Sequence, residues 1–304
     1  MKKSVSLLLS SLLLCGALTG CGSSNDDSYG ADGAQAEGGE AAGGVSGAIT
    51  VISREDGSGT RGAFVELTGV EEKNDAGEKI DNTTADAEIA NKTSVVLTSV
   101  AGNEKAIGYI SLGALNDTVK ALKVDGAEAT PEHVKDGSYT LARPFNVATK
   151  GQPTGAAADF MAFIMSAEGQ QIIEDEGYIK VNDAAESFKT DGSSGQIAVG
   201  GSSSVSPVME KLAEAYQAAN PNAKIELQES DSTSGMTGAM DGTFDIGMAS
   251  RELKEEEAAA LTGTAIAMDG IAVIVNPANT LEGLSIDQIK SIYIGDVTDW
   301  GDLA

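Results

Sequence analysis

The 304-residue chain predicts an α/β fold, on three observations. Short apolar strand-like runs alternate with amphipathic helical runs along its length. Three of the strand-to-helix junctions are rich in Ser and Gly. A Gly/Ser-rich link at 191–195 separates two blocks of different character. Strands are expected over 49–53, 107–111, 145–149, 196–200, 224–228, 244–248 and 271–276. Helices are expected over 61–67, 85–101, 131–136, 155–174, 207–219, 236–241, 252–260 and 285–292.

The first strand rests on Ile49, Val51 and Ile52 and runs into Arg54-Glu55-Asp56-Gly57-Ser58-Gly59-Thr60-Arg61, where the first helix begins. The 131–136 helix opens on Pro131 and carries His133, the single histidine, on what reads as an exposed face. From Asp159 to Ile173, Phe160, Phe163, Ile164, Ile172 and Ile173 share one side, which is ordinary core packing. Pro207 suits a first helical turn, and Val208, Leu212 and Ala215 form the apolar stripe behind it. No internal repeat stands out.

Residues 1–21 read as a bacterial lipoprotein signal and lipidation site. Lys2 and Lys3 precede an apolar run from Val5 to Leu18, and Leu18-Thr19-Gly20-Cys21 places small residues before the thiol that takes the lipid. An ordinary secretory signal or membrane anchor is the plainer alternative, but the apolar run is short for a span. Residues 22–47 are rich in Gly, Ala, Ser, Asp and Glu and read as a flexible tether. With Cys15 removed and Cys21 acylated, no thiol pair remains for a disulfide. The expected address is the outer face of the cell membrane.

The formal charge of −26 becomes two units more negative once Lys2 and Lys3 leave, which disfavours nucleic acid as a partner. It leaves a small anion open as a ligand, because capture of one depends on local dipoles and hydrogen bonds. Three loops suit that task. In the octapeptide 54–61, backbone N–H groups and hydroxyls of Ser58, Gly59 and Thr60 turn toward one point, with Arg54 alongside. In Gly200-Gly201-Ser202-Ser203-Ser204-Val205-Ser206-Pro207, Ser203 offers a hydroxyl and Ser204 a backbone N–H. In Asp231-Ser232-Thr233-Ser234-Gly235, Ser232 is the favoured donor. Each loop alone is explained as a helix cap; three in one chain suggest several helix N-termini aimed at one tetrahedral oxyanion, with a guanidinium for charge.

On these residues the chain resembles the PstS-type phosphate-binding proteins of bacterial ABC importers. The resemblance rests on 197–210 (Ile-Ala-Val-Gly-Gly-Ser-Ser-Ser-Val-Ser-Pro-Val-Met-Glu), 241–254, 268–277, 54–61, Ala106-Ile107-Gly108-Tyr109 and 167–173, and covers nearly all of the mature region. It implies a type II periplasmic-binding-protein fold, with two α/β lobes joined by hinge strands. Lobe A would comprise 48–142 and 274–304, lobe B 146–270, with crossovers near Arg143–Phe145 and Ile271–Val273. The order of the matched segments differs from the usual family arrangement, since the Gly-Ser-Gly-Thr half precedes the Gly-Ser-Ser-Ser half. This reads as a circular permutation fused through 182–195, with a chimeric or truncated gene as the alternative.

The resemblance further implies phosphate-binding roles for Arg54, Ser58, Gly59, Thr60, Ser203, Ser204 and Ser232, with Asp56 orienting Arg54 through a salt bridge. Ser250 stands where some members of the family carry an aspartate that accepts the proton of hydrogen phosphate. Ser250 is therefore expected at the ligand, and Arg251 is either a second cation or the partner of Glu252 or Asp245. The implied partners are inorganic phosphate, a permease–ATPase complex of the ABC type and, through lipidated Cys21, the membrane; the receptor is expected to be a monomer. No cofactor or metal is implied. A Ser-His-Asp hydrolase needs a positioned imidazole that His133 does not supply, and a zinc site lacks a Cys/His cluster. A receptor for sulfate or molybdate, or a surface sensor or adhesin on the same fold, remain the alternatives.

Overall fold

Apolar and β-branched runs pair into one large sheet in the structure, a computed structural model that describes residues 45–303. The leader, Cys21 and the tether through residue 44 lie outside the described residues. Eight strands form the continuous path: β1 (Thr50–Arg54), β2 (Glu88–Ala90), β3 (Ala106–Ser111), β4 (Ala142–Thr149), β5 (Gly195–Ser202), β6 (Ala223–Ser230), β7 (Ile246–Ala249) and β8 (Thr262–Val275). Their spatial order is β6-β5-β7-β4-β8-β3-β1-β2, and two short strands, Lys120–Ala121 and Ile179–Lys180, also pair with β8. Pairing is parallel where a helix makes the crossover (β1 with β2 and β3, β5 with β6 and β7) and antiparallel around β4 and β8.

The nine α-helices among the described residues are α1 (Gly59–Leu67), α2 (Thr93–Ala101), α3 (Pro131–Asp136), α4 (Gly155–Ile164), α5 (Ala167–Asp175), α6 (Ser206–Ala219), α7 (Ser232–Asp241), α8 (Glu255–Ala260) and α9 (Ile286–Ile294). Two large hydrophobic cores result. One draws on residues from Val51 to Leu141 and again from Ile271 to Trp300; the other runs from Phe145 to Ala267. The β4 and β8 ladder carries strands past both, with Leu141 and Phe145 on either side of the passage in β4's region and Ala267 and Ile271 in β8's. Every residue of β3 is buried, as expected of a strand covered on both faces, whereas β6 at the sheet's edge alternates buried or half-buried with exposed positions. On α6, Val208, Met209, Leu212 and Tyr216 are fully buried, each worth on the order of 2 kcal/mol.

Three sequence expectations change. The 85–101 helix begins only at Thr93; Glu88–Ala90 instead joins β1 as β2, because the polar Asn91-Lys92 step ends an extended segment. The 155–174 helix is two helices, broken where Ser166 caps α5 by accepting from the Gly169 N–H. The 271–276 strand extends back to Thr262 through small residues that carry little apolar signal. The link at 191–195 leads straight into β5, and Phe188 before it packs edge-on to Phe163.

The two ends of the described fold meet. Ala48 bridges Asp299, the Ile49 N–H donates to the Thr298 carbonyl at 2.8 Å, and the Trp300 N–H donates to that of Gly47 at 3.1 Å.

Gly201 in β5 has φ +136°, and a β-carbon there would collide with the Met248 carbonyl and stand 3.0 Å from the Gly235 Cα of α7. Gly201→Ala is expected to cost at least ~2 kcal/mol of unfolding free energy, since strain and collision add. Urea denaturation followed by fluorescence of Trp300, the single tryptophan, measures it; an unchanged midpoint refutes the packing described.

Candidate functional site

Four helix starts and one arginine share a buried hydrogen-bond network. Arg54 ends β1, Gly59 and Thr60 open α1, Thr93 opens α2, Ser203 and Ser204 lie just before α6, and Ser232 opens α7. Strands carry the chain inward and the following helices carry it away, so each turn leaves first-turn N–H groups without intrahelical partners. Each helix end also presents about half a positive charge. Arg54, Thr60, Thr93, Ser203, Ser204, Ser232 and Ser250 are all buried.

The contacts form one connected chain. Arg54 Nη2 donates to Ser203 Oγ at 3.0 Å and Nη1 to Thr93 Oγ1 at 3.4 Å. Ser204 Oγ lies 2.8 Å from Thr60 Oγ1 and 3.2 Å from Thr93 Oγ1. The Ser204 N–H donates to Ser202 Oγ at 3.3 Å, whose hydroxyl donates to Ser250 Oγ at 2.9 Å. The Ser250 N–H in turn donates to Ser232 Oγ at 3.1 Å. Gly59 leaves no room for a side chain: a carbon there would collide with Ser232 Oγ and stand 2.8 Å from Ser250 Oγ. Arg54, Gly59, Thr60 and Thr93 belong to elements of the first core, whereas Ser202 to Ser204 run from β5 toward α6 of the second, and Ser232 on α7 and Ser250 after β7 adjoin a smaller cluster that includes Met236, Ala239 and Ala249.

Ser58 stands slightly apart. Its hydroxyl accepts from the Arg61 N–H at 3.3 Å, capping α1, and Asp231 does the same for α7 through the Ser234 N–H. Those two positions therefore carry the ordinary capping role, while the hydroxyl of Ser203 meets Arg54, that of Thr60 meets Ser204 and that of Ser232 meets Ser250.

Two expected ion pairs are replaced. Asp56 does not hold Arg54: its side chain is fully exposed on the turn and lies 3.3 Å from Arg61 Nη1. Glu55 holds Arg54 instead, in a two-pronged pair with Nε to Oε2 at 2.7 Å and Nη2 to Oε1 at 2.8 Å. At the strand's end the side chain of residue 55 folds back along the guanidinium, whereas that of residue 56 has already turned toward solvent. Arg251 pairs with neither the Glu252 carboxylate nor Asp245. Its Nη1 and Nη2 meet Glu257 Oε2 and Oε1 at 2.7 and 2.8 Å, because the first turn of α8 swings Glu257 back; Nη2 also donates to Thr233 Oγ1 at 3.3 Å. Asp245 accepts from the Ala198 N–H.

Sequence reasoning missed Glu55, Thr93 and Ser202. Ser202 lies inside the Ser run of 202–204, and Thr93 falls within the helix expected over 85–101. A groove of about 960 Å³ adjoins the network, lined among others by Ser58, Arg61, Arg143, Thr233, Arg251 and Met268. His133 is half-buried, with Nδ1 3.0 Å from the Glu128 carbonyl. Among the described residues no group of three or more His, Cys, Asp or Glu side chains could hold a metal ion, and no helix is long and apolar enough to cross a membrane. The arrangement offers hydroxyls, amides and one guanidinium, the chemistry that replaces the hydration shell of a small oxyanion.

Comparison with known proteins agrees with that chemistry. The family model for the PBP superfamily domain matches residues 26–168 and 187–304. Phosphate-binding protein PstS 2 of Streptococcus agalactiae serotype V is 48% identical over 305 residues, spanning 99% of this chain and 98% of that one. Phosphate-binding protein PstS of Bacillus subtilis is 34% identical over 137 residues, 44% of this chain and 42% of its own. The crystal structure of a phosphate ABC transporter, phosphate-binding protein from Streptococcus pneumoniae TIGR4 is similar with a TM-score of 0.69 at 46% identity, covering 85% of this chain and 100% of that chain.

Burial pushes the Glu257 carboxyl up, but hydrogen bonds from Arg251 and the Lys254 N–H, with the charges behind them, outweigh it and hold the group below its ordinary value. A lowered folded-state value means that this contribution to stability is present above the ordinary glutamate range and lost as pH falls through the lowered one. The stability gap between wild type and Glu257→Gln is therefore expected to be largest near neutrality and to close on acidification. Denaturation at a series of pH values measures it, and a gap that does not narrow in acid refutes the assignment.

Proposed function

The chain belongs to the PBP superfamily and, within it, to the PstS-type phosphate-binding proteins, and on that footing we propose that it captures inorganic phosphate at the hydroxyl network and delivers it to an ABC permease. It is a binding protein of a transport system rather than an enzyme, and it acts on the outward-facing side of the cell. The observation that carries the reading is the joining of Arg54 to four helix starts through one buried set of hydroxyls.

In this reading the two cores are two lobes, 48–142 with 274–304 and 146–270, and phosphate sits between them. Arg54 supplies the charge, held flat by Glu55 rather than Asp56. Ser203, Ser204, Thr60, Ser232 and Ser250 supply hydroxyls, and Gly59 and Thr60 supply first-turn N–H groups. Ser58 adds its remaining hydroxyl proton from the cap. Arg251 supports the rim through Glu257 and Thr233. Closing the lobes over the anion brings these groups together, and opening releases it to the permease. We further propose a lipid anchor at Cys21 and a monomeric receptor.

The segment order is read as a permutation of the one found in other members of the family. The meeting of Gly47–Ile49 with Thr298–Trp300 supports it, because a permuted fold needs its new ends where an old connection ran. The near-complete match to the Streptococcus agalactiae relative gives that protein the same order as this one, while the Bacillus subtilis relative matches over less than half of this chain.

Arg54→Ala is expected to leave the fold intact and to weaken phosphate binding by ~3 kcal/mol or more, about two orders of magnitude, as when a buried charge loses its partner. Titration calorimetry of the full-length chain with phosphate, and with sulfate as competitor, measures this. Equal affinity in wild type and variant removes Arg54 from the site; tighter binding of sulfate than phosphate changes the ligand.

A further inference from the structure

Arg143 and Asp269 face each other across the β4–β8 ladder at the passage between the two cores. Both are buried, at 2% and 0% side-chain exposure. Arg143 Nε and Nη2 donate to Asp269 Oδ2 at 3.2 and 3.0 Å. Asp269 Oδ1 accepts from the Ser111 hydroxyl at 2.9 Å and the Leu112 N–H at 3.2 Å, which ties the pair to the end of β3. Burial pushes the Asp269 carboxyl up to about 6, against the opposing pull of the Arg143 guanidinium.

The third nitrogen of the guanidinium points elsewhere. Arg143 Nη1 donates to the backbone carbonyl of Ser250 at 3.0 Å. Ser250 is the residue through which the Ser202 and Ser232 hydroxyls are connected. The next carbonyl, that of Arg251, is held by Asn146 Nδ2 at 2.9 Å, also from β4. A planar guanidinium can bind a carboxylate with two nitrogens and still donate sideways from the third; an ammonium cannot hold both directions at once.

We infer that Arg143 is a positioning residue for anion binding: it fixes Ser250, and with it the Ser202–Ser250–Ser232 side of the network, to the strands that pass between the cores. Asp269 sets the plane of the guanidinium, and the sideways donation sets where the Ser250 amide and hydroxyl stand. This rests on the phosphate-binding reading above. An alternative role confined to stability is separable, because replacing both members of a buried ion pair with apolar side chains often preserves folding, whereas removing one does not.

Two variants of the full-length chain test it. Arg143→Lys keeps a charge for Asp269 but cannot also hold the Ser250 carbonyl. Arg143→Met with Asp269→Leu removes the pair as a unit. Thermal melting establishes that each is folded. In the folded variants phosphate affinity by calorimetry is expected to fall about tenfold, the equivalent of one lost hydrogen bond at the site, and the Ser250 amide is expected to exchange its hydrogen faster than in wild type. A folded variant that binds phosphate within about twofold of wild type, or whose Ser250 amide exchanges at the wild-type rate, overturns the inference. If the double variant does not fold, Arg143→Lys decides alone. A wild-type chain that fails to bind phosphate sinks the ligand assignment instead, and the amide exchange still decides whether Arg143 positions Ser250.

Discussion

The antiparallel ladder of β4 and β8 is the element on which both cores and the hydroxyl network converge. Its register sets Ala142 opposite Gly270, Arg143 opposite Asp269 and Phe145 opposite Ala267. A slip of one residue would turn every side chain to the other face and would separate the buried ion pair. It would also carry Asn146 away from the Arg251 carbonyl. The apolar residues on either side hold that register from two directions, since each core is packed against its own stretch of the same two strands.

Polar burial follows from that frame. A guanidinium 2% exposed is tolerated because Glu55 neutralises it, the Ala90 carbonyl accepts from Nε, and Ser203 and Thr93 take the remaining contacts. Ser202, Ser232 and Ser250 bond to one another, and Ser204 to Thr60 and Thr93. An incoming anion therefore exchanges hydroxyl–hydroxyl bonds for charge-assisted ones, which are roughly twice as strong. In the proposed binding mode Glu55 offsets part of the Arg54 charge, and the dipoles of four helix starts would add to what the guanidinium offers.

Much of this was legible in the sequence. Loops of Ser and Gly between an apolar strand and a helix mark the same places in the fold, and of the residues named from them Arg54, Gly59, Thr60, Ser203, Ser204 and Ser232 lie together, with Ser58 apart. Partner choice was less legible. Whether Glu55 or Asp56 holds Arg54 depends on which way the chain turns after β1, a property of the turn and not of residue type. Arg143 and Asp269 lie 126 residues apart and meet only through strand register. Thr93 was obscured because helical periodicity continued through Asn91-Lys92, where an extended segment hands over to a helix. The small residues of 262–270 hid half of the longest strand for the opposite reason, too little apolar signal.

The meeting of the two ends of the described fold has a mechanical side. Force applied to the polypeptide at Val45–Gly47 first reaches the bonds to Thr298, Asp299 and Trp300, which lie at the margin of the first core. Such bonds open singly, like a zipper pulled from its end, before β1 and its neighbours bear any load. A tug from that side therefore loads this seam before it reaches β1 and Arg54 at its end.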